Sequence, residues 1–280
     1  NEGCALGMEE MNKVALEILA AINKSGITEW DLKTLTVRQS TFNNEVIAML
    51  LVKNESEKTL KAIEVIKDAD VKNLVIGYSS HKSPVSNLDK VLFAKGVDYL
   101  TESVLGKELR YSMQSFFQNN VESFEVALEK IKEFVTPSNK IVELYSGDGT
   151  IGLNLADKAK EVAGVEIIES AVIYAKLNAD INDIANYKAV LTPAEKLHQE
   201  TIEGADIVVL DPPRSGLHPK VIKMLKESKP KRIIYLSCNP ISQASDYNNL
   251  KELYNLTHLS GYDFYPNTLH LESLAVLDLK

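Results

Sequence analysis

Three short segments carry residue types that can do chemistry together. The run Arg232–Ser237 leads straight into Cys238, Asn239 and Pro240. Asn is a favoured N-cap and Pro a favoured first helical residue, so a helix is expected to begin just after the thiol. The partial positive charge of that helix N-terminus favours thiolate over thiol, which makes Cys238 a candidate nucleophile. The run Ala205–Leu210 delivers Asp211, followed by Pro212, Pro213, Arg214, Ser215 and Gly216. Paired prolines stiffen this loop and hold Asp211, whose carboxylate can accept a hydrogen bond from a ring N–H of a nucleobase. Farther on, Glu272 opens a strongly apolar strand, where a carboxylate needs a partner or a task. A thiolate that adds to a substrate and a carboxylate that removes a proton make a coherent pair. Plainer readings stay open for each: an inert cysteine, a turn that ends a strand, a carboxylate on the surface rim. His270 precedes Glu272 by two residues and can share its face, but it is given no catalytic role.

A fourth segment reads as a cofactor loop. Lys140–Leu144 is apolar enough for a buried strand, and Gly147, Gly149 and Gly152 follow at G-x-G-x-x-G spacing. Glycines let backbone approach a ligand at the carboxyl edge of an open sheet. Glu166 ends the next strand, a position suited to two ribose hydroxyls. The spacing alone admits a dinucleotide, or a tight turn with no ligand. Glu143, just ahead of the glycines, tilts the reading towards a methyl donor, because an acid there helps to hold the donor's amino-acid part.

These segments need a scaffold that brings them to one edge. From 140 onward strands and helices alternate: strands at 140–145, 161–166, 187–191, 205–210 and 231–237, helices at about 150–159, 168–182, 218–228 and 241–252, then strands at about 256–264 and 270–279. That alternation means a doubly wound α/β sheet. Val121, Phe124, Leu128, Ile131 and Val135 form one helical stripe ahead of it. Residues 1–112 read as a smaller α+β domain: a helix over 8–24, strands at Leu32–Ser40 and Glu45–Lys53, a helix at Glu57–Lys67, a strand at Val71–Tyr78, and short strands over 79–113 with loop signals at Ser83 and Pro84. The second domain is expected to span 113–280.

The 280 residues are 45% hydrophobic and 25% charged, ordinary values for a globular chain. No apolar run reaches the roughly 20 residues of a membrane span and no secretory signal is visible, so no membrane association and a cytoplasmic location are expected. A net charge of −8 argues against nonspecific nucleic-acid binding by the whole surface, though not against a local basic groove. Two cysteines, Cys4 and Cys238, imply no disulfide framework.

Taken in order, Ser115–Asn120, Leu144–Thr150, Asp211–Gly216, Ser237–Pro240 and His270–Ser273 resemble the RNA (uracil-5)-methyltransferase family, which methylates uridines of transfer or ribosomal RNA. The likeness is specific from about residue 105 to the end and looser before it. It implies a Rossmann-like class I S-adenosylmethionine methyltransferase fold with an antiparallel last strand, preceded by the family's smaller central, RNA-recognition domain. It also implies roles: Cys238 as nucleophile, Glu272 as the base for the C5 proton and Asp211 as the residue that holds the uracil. Gln118, Tyr145, Gly147, Gly149, Glu166 and Asp211 would line the S-adenosylmethionine site, with Phe116 at the base. Either Phe116 or Phe117 can stack on a flipped base, and core packing is an equal alternative for both.

The family often has a cysteine where Ser146 stands, usually an N-terminal β-barrel, and in many members an iron–sulfur centre. Cys4 resembles an orphan last ligand of that centre, unable to bind a cluster without its partners, with an ordinary surface cysteine as an equal alternative; the resemblance gives 23S rRNA, and rRNA processing, a preference over tRNA. No other metal ligand is expected, and the partner is RNA. The rival readings are an amino-group methyltransferase acting on adenine, a cytosine-C5 enzyme, a non-catalytic cofactor-binding RNA assembly factor and an NAD-dependent reductase.

Overall fold

The computed structural model describes residues 3–4, 7–80, 86–197 and 199–280, the side chains of 199 and 200 excepted; the loop signals at Ser83 and Pro84 lie outside them. The chain divides into two compact units, one of residues 1–102 with 110–114, the other of 103–109 with 115–280. The expected division at 112/113 is therefore displaced, because 103–109 sort with the second unit.

In the first unit, α1 (Glu9–Ser25) is followed by β1 (Leu32–Gln39), β2 (Val46–Val52), α2 (Glu57–Ile66), β3 (Leu74–Tyr78) and β4 (Lys90–Lys95). The four strands lie in the order β1-β2-β3-β4; the β2–β3 pair is parallel and the other two pairs antiparallel. Ile18 and Ile22 of α1 and Ile63 and Ile66 of α2 pack with Ala48, Leu50, Leu74 and Ile76 of the sheet. The strand expected from Val71 starts only at Leu74, because Asn73 turns its side chain onto the carbonyl of Val46 and the N–H of Val97. The chain then passes through the two-stranded sheet of β5 (Tyr99–Val104) and β6 (Lys107–Ser112).

The second unit continues with α3 (Val121–Glu133), β7 (Lys140–Leu144), α4 (Thr150–Ala156), β8 (Glu161–Glu166), α5 (Glu169–Ile181), β9 (Tyr187–Leu191), α6 (Gln199–Ile202), β10 (Ile207–Leu210), α7 (Pro219–Ser228), β11 (Arg232–Ser237), α8 (Pro240–Leu250), β12 (Tyr254–Tyr262) and β13 (Glu272–Leu279). Its seven strands lie in the order β12-β13-β11-β10-β7-β8-β9. All neighbours are parallel except those of β13, which runs antiparallel to both β11 and β12. This is the Rossmann-like class I S-adenosylmethionine methyltransferase fold, with the reversed last strand that the family resemblance implied. The apolar runs of β7, β10 and β11 are buried on both faces, as a parallel sheet between helices requires.

Local polar chemistry sets the boundaries that differ from expectation. The strand expected from Ala205 begins at Ile207, because the Asp206 carboxylate accepts from the N–H of Lys140 and from Lys231 Nζ. A 3-10 turn over Ala194–Lys196 and the short helix α6 fill the stretch between β9 and β10, where no element was expected.

Two side chains fix the register of β11 against β13. At one end, Arg232 forms a bidentate pair with Asp278, directly opposite it in the ladder. At the other, buried Gln243 of α8 donates through Nε2 to the carbonyls of Tyr235 (2.8 Å) and Ser273 (3.0 Å), while its Oε1 accepts from Ser273 Oγ at 2.7 Å. Leaving such buried groups unpaired costs about 1–3 kcal/mol each. Gln243→Leu is therefore expected to lower unfolding free energy by about 2–4 kcal/mol in urea titration, well beyond the loss from Asn249→Leu on the exposed face of the same helix.

Candidate functional site

The topology collects the chemistry-bearing residues along one edge. β7, β8, β10 and β11 run parallel, so Tyr145, Glu166, Asp211 and Cys238 all lie at or just past their carboxyl ends. β13 is reversed, so its first residue, Glu272, comes to the same edge. Ser237 pairs with Ser273, which makes Cys238 and Glu272 the next positions out along the two neighbouring strands. The order along the edge is therefore Glu272, Cys238, Asp211, Tyr145, Glu166, with strands about 4.8 Å apart.

The glycine loop is built around two carboxylates. Glu143, buried in β7, accepts the N–H of Gly152 through Oε2 at 3.0 Å and so ties the first turn of α4 to the sheet. A side chain at Gly152 would run into that carboxylate and the ring of Tyr187. Glu166 accepts the N–H of Gly147 at 3.0 Å, and its other oxygen takes the amides of Ile167 and Ile168. Gly147 and Gly149 are both left-handed, at φ 53° and 85°. A Cβ on Gly147 would meet open space, so a ligand can approach its backbone there. Tyr145 is also left-handed, at φ 65°, and its ring packs in part against the core of the second unit.

The segment ahead of α3 closes the site from the side. Ser115 Oγ donates to Asp148 of the glycine loop at 3.1 Å. Asn120, the N-cap of α3, donates through Nδ2 to the carbonyl of Phe264, ahead of the Glu272 strand. Between these anchors Gln118 is buried, and its Oε1 has no protein partner among the described residues. The two phenylalanines part company: Phe117 is buried, whereas Phe116 is 68% exposed and open to a ligand.

Around Cys238 the expected helix start is present. Asn239 caps α8 by accepting from the N–H of Ile241, and Pro240 is the first helical residue. The thiol itself departs from expectation, since it is pushed above its ordinary value rather than below. Burial is the larger cause, followed by the carboxylates of Glu272 and Asp211; Arg214 opposes them. A helix N-terminus was legible in the sequence, and both acids were expected in the same site, but their burial and their effect on the thiol were not legible. Those acids respond to the same crowding. Burial, and then the charge of Glu272, raises Asp211 to about 7. Burial raises Glu272 to about 7 as well, against the pull of Arg214. Glu143 is raised by burial and by Asp211.

Several contributors went unnoticed in the sequence. Asp246 of α8 accepts from the N–H of Leu217 at 2.9 Å and from Tyr235 Oη at 2.8 Å, and thereby anchors the far end of the Asp211 loop. Asn239 Nδ2 donates to the carbonyl of Arg214 at 2.8 Å. A polar helix face beside a buried strand was the available signal for Asp246, whereas Asn239 was legible as a helix cap but not as an anchor of the Asp211 loop. Cys4 is exposed in the first unit, where its carbonyl and N–H pair with the Asn12 side chain. Among the described residues no group of three or more His, Cys, Asp or Glu could hold a metal, and no helix is long and apolar enough to cross a membrane.

Comparison with known proteins gives a consistent set of relatives. The sequence profile of the tRNA (uracil-5-)-methyltransferase family matches residues 7–280. An RNA methyltransferase of Nanoarchaeum equitans is 33% identical over 98% of the chain and 62% of its own length. One from Caldanaerobacter subterraneus is 34% identical over 88% of the chain and 57% of its own length. The chain thus spans 57% to 62% of these two relatives. The crystal structure of Pyrococcus abyssi tRNA (uracil-54, C5)-methyltransferase in complex with S-adenosyl-L-homocysteine superposes with a TM-score of 0.81 at 27% identity, covering 99% of this chain and 69% of that one.

Raised carboxyls have a thermodynamic consequence. A carboxyl whose folded value lies above its unfolded value near 4 favours folding while protonated. That contribution is lost as pH rises from about 4 through the folded value. Glu272, at about 7, should therefore destabilise the chain progressively between pH 5 and 8. Glu272→Gln is expected to raise the thermal midpoint relative to the parent, by an amount that grows across that range in calorimetry. A constant difference would remove the raised carboxyl.

Proposed function

Because this chain belongs to the tRNA (uracil-5-)-methyltransferase family, we propose that it methylates C5 of a uridine in RNA through a transient covalent bond from Cys238. The observation that carries this reading is the meeting of one thiol and two carboxyls of raised pKa, Asp211 and Glu272, beside a glycine loop with an open approach.

The donor site fits S-adenosylmethionine better than a dinucleotide. Glu143 and Glu166 hold the loop and Asp211 ends the neighbouring strand, an acidic setting that suits a cationic sulfonium and disfavours a pyrophosphate. The N–H of Gly152, which a phosphate would need, is already held by Glu143. Glu166 would take the ribose hydroxyls, the backbone at Gly147 and Gly149 would lie against the ligand, and Tyr145 would flank it. The unpartnered Oε1 of Gln118 would accept from the donor or the base. When bound, S-adenosylmethionine supplies an electrophilic methyl group.

Uracil C5 is a weak nucleophile until C6 is occupied. The Cys238 Sγ would form a bond to C6, pushing the electron pair of C5=C6 towards C5 and the O4 carbonyl. Asp211, as carboxylate, would accept from uracil N3–H and set the ring against the thiol. Once C5 carries both hydrogen and methyl, Glu272 would take the proton. The C5–H pair would restore C5=C6, and the Sγ–C6 pair would leave with sulfur. A carboxyl at about 7 is balanced between its forms at neutral pH, as a general base requires. Exposed Phe116 would stack on the extruded base.

The substrate arm is transfer or ribosomal RNA. The preference for 23S rRNA rests on Cys4 alone, whereas the P. abyssi neighbour is a tRNA enzyme; tRNA is the arm we favour.

Incubation with the methyl donor and 5-fluorouridine-containing tRNA or 23S transcripts tests the reading. Fluorine cannot leave as a proton, so a covalent complex stable to denaturant should accumulate and vanish in Cys238→Ala. Methyl transfer retained in Cys238→Ala would instead indicate an amino-group enzyme. Binding of S-adenosylhomocysteine without transfer to any RNA would indicate an assembly factor. In calorimetry, Gln118→Leu is expected to weaken S-adenosylhomocysteine about tenfold, the usual scale for one lost hydrogen bond.

A further inference from the structure

One contact near the thiol lies outside the roles assigned above. Arg214 Nη2 lies 3.2 Å from His270 Nδ1. A guanidinium can only donate, so Nδ1 is the acceptor, and a neutral His270 carries its proton on Nε2. The backbone of Arg214 is held as well, since its carbonyl accepts from Asn239 Nδ2 at 2.8 Å, one residue beyond Cys238. Arg214 therefore ties together three segments that are far apart in sequence: the Asp211 loop, the turn that follows Cys238 and the lead-in to Glu272.

The imidazole is braced in turn. The ring of Tyr265 meets it edge-on, with centroids 6.1 Å apart and the ring planes at 80° to one another. Thr268 Oγ1 accepts the N–H of His270 at 3.2 Å and donates to the carbonyl of Tyr265 at 2.7 Å.

We propose that His270 is a positioning residue, whose Nδ1 holds the Arg214 guanidinium at the mouth of the site beside Cys238 and Glu272. The charged and titratable groups around the thiol are Asp211 and Arg214 of one loop, and Tyr265 and Glu272 from the stretch that leads into and opens β13. Arg214 is the cation among them, and it lowers both Cys238 and Glu272. A long arginine side chain at an exposed site samples many rotamers, so its electrostatic effect depends on what fixes it. His270 supplies that fixation without touching the thiol. The role rests on the uridine reading for its purpose, but not for its test.

The test is the pH dependence of iodoacetamide alkylation at Cys238, followed by mass spectrometry in a Cys4→Ser background without RNA. Arg214→Met is expected to raise the alkylation midpoint by about half a pH unit or more, the scale of one nearby charge at a partly solvated site. His270→Ala should move it in the same direction by a smaller amount. His270→Asn should restore the parent midpoint, because its Oδ1 can accept where Nδ1 did. The proposal is overturned if His270→Ala leaves the midpoint at the parent value, or if His270→Asn shifts it as far as His270→Ala does. Absence of methyl transfer by the parent chain would count against the uridine reading alone, since alkylation needs neither RNA nor donor.

Discussion

The register of the antiparallel β11–β13 ladder is the constraint on which the rest of the site depends. Only this pairing brings Glu272, from the end of the chain, next to Cys238. A slip of one residue in a strand turns every side chain to the opposite face. It would send Glu272 away from the thiol and the apolar residues of β13 out of the core. The ladder is fastened at both ends, by Arg232 with Asp278 and by Gln243 with Tyr235 and Ser273. Gln243 belongs to α8, the helix that starts immediately after the proposed nucleophile. The element that caps the thiol's turn thus also fixes the strand that delivers the acid.

Acid crowding is the second organising feature. Four carboxylates, from β7, β8, β10 and β13, converge on an edge with Arg214 as the cation that counters them around the thiol. Burial holds Glu143, Asp211 and Glu272 above the ordinary carboxylate range, with the charge of Glu272 adding to Asp211 and that of Asp211 to Glu143. These three carboxyls hold their protons to higher pH than free carboxyls do. A bound cation would relieve that crowding, which links donor binding to the ionisation of Asp211 and Glu272 and, through them, to the thiol. The same electrostatics runs against a pyrophosphate, although the glycine spacing by itself would have admitted one.

The braces of the glycine loop and of the segment ahead of α3 share a design. Glu143 holds Gly152, Glu166 holds Gly147, and Ser115 holds Asp148. Each bond joins residues that are separate in sequence, so the loop's left-handed backbone at Tyr145, Gly147 and Gly149 is held from outside. Beside the Ser115 brace, the Oε1 of Gln118 is buried without a protein partner among the described residues.

Much of this protein was legible along the chain because it rests on local physics. Strand–helix alternation from residue 140, the Asn239–Pro240 helix start, the glycine turns and the stiff Asp211 loop follow from propensity and backbone geometry. Similarity of five short segments added the family. What sequence could not show is what depends on distant neighbours. The strand expected at Val71 and that at Ala205 were shortened by the side chains of Asn73 and Asp206, which reach partners far along the chain. Phe116 and Phe117, adjacent and identical in type, were separated into an open ring and a core ring only by packing. The direction of the Cys238 shift was reversed for the same reason. A helix N-terminus is written in the next two residues, but burial and the charges of Asp211 and Glu272 exist only once the sheet has closed. Chain-local order was in the sequence; the electrostatic environment of the thiol was decided by tertiary structure, because charge acts through space and not along the backbone.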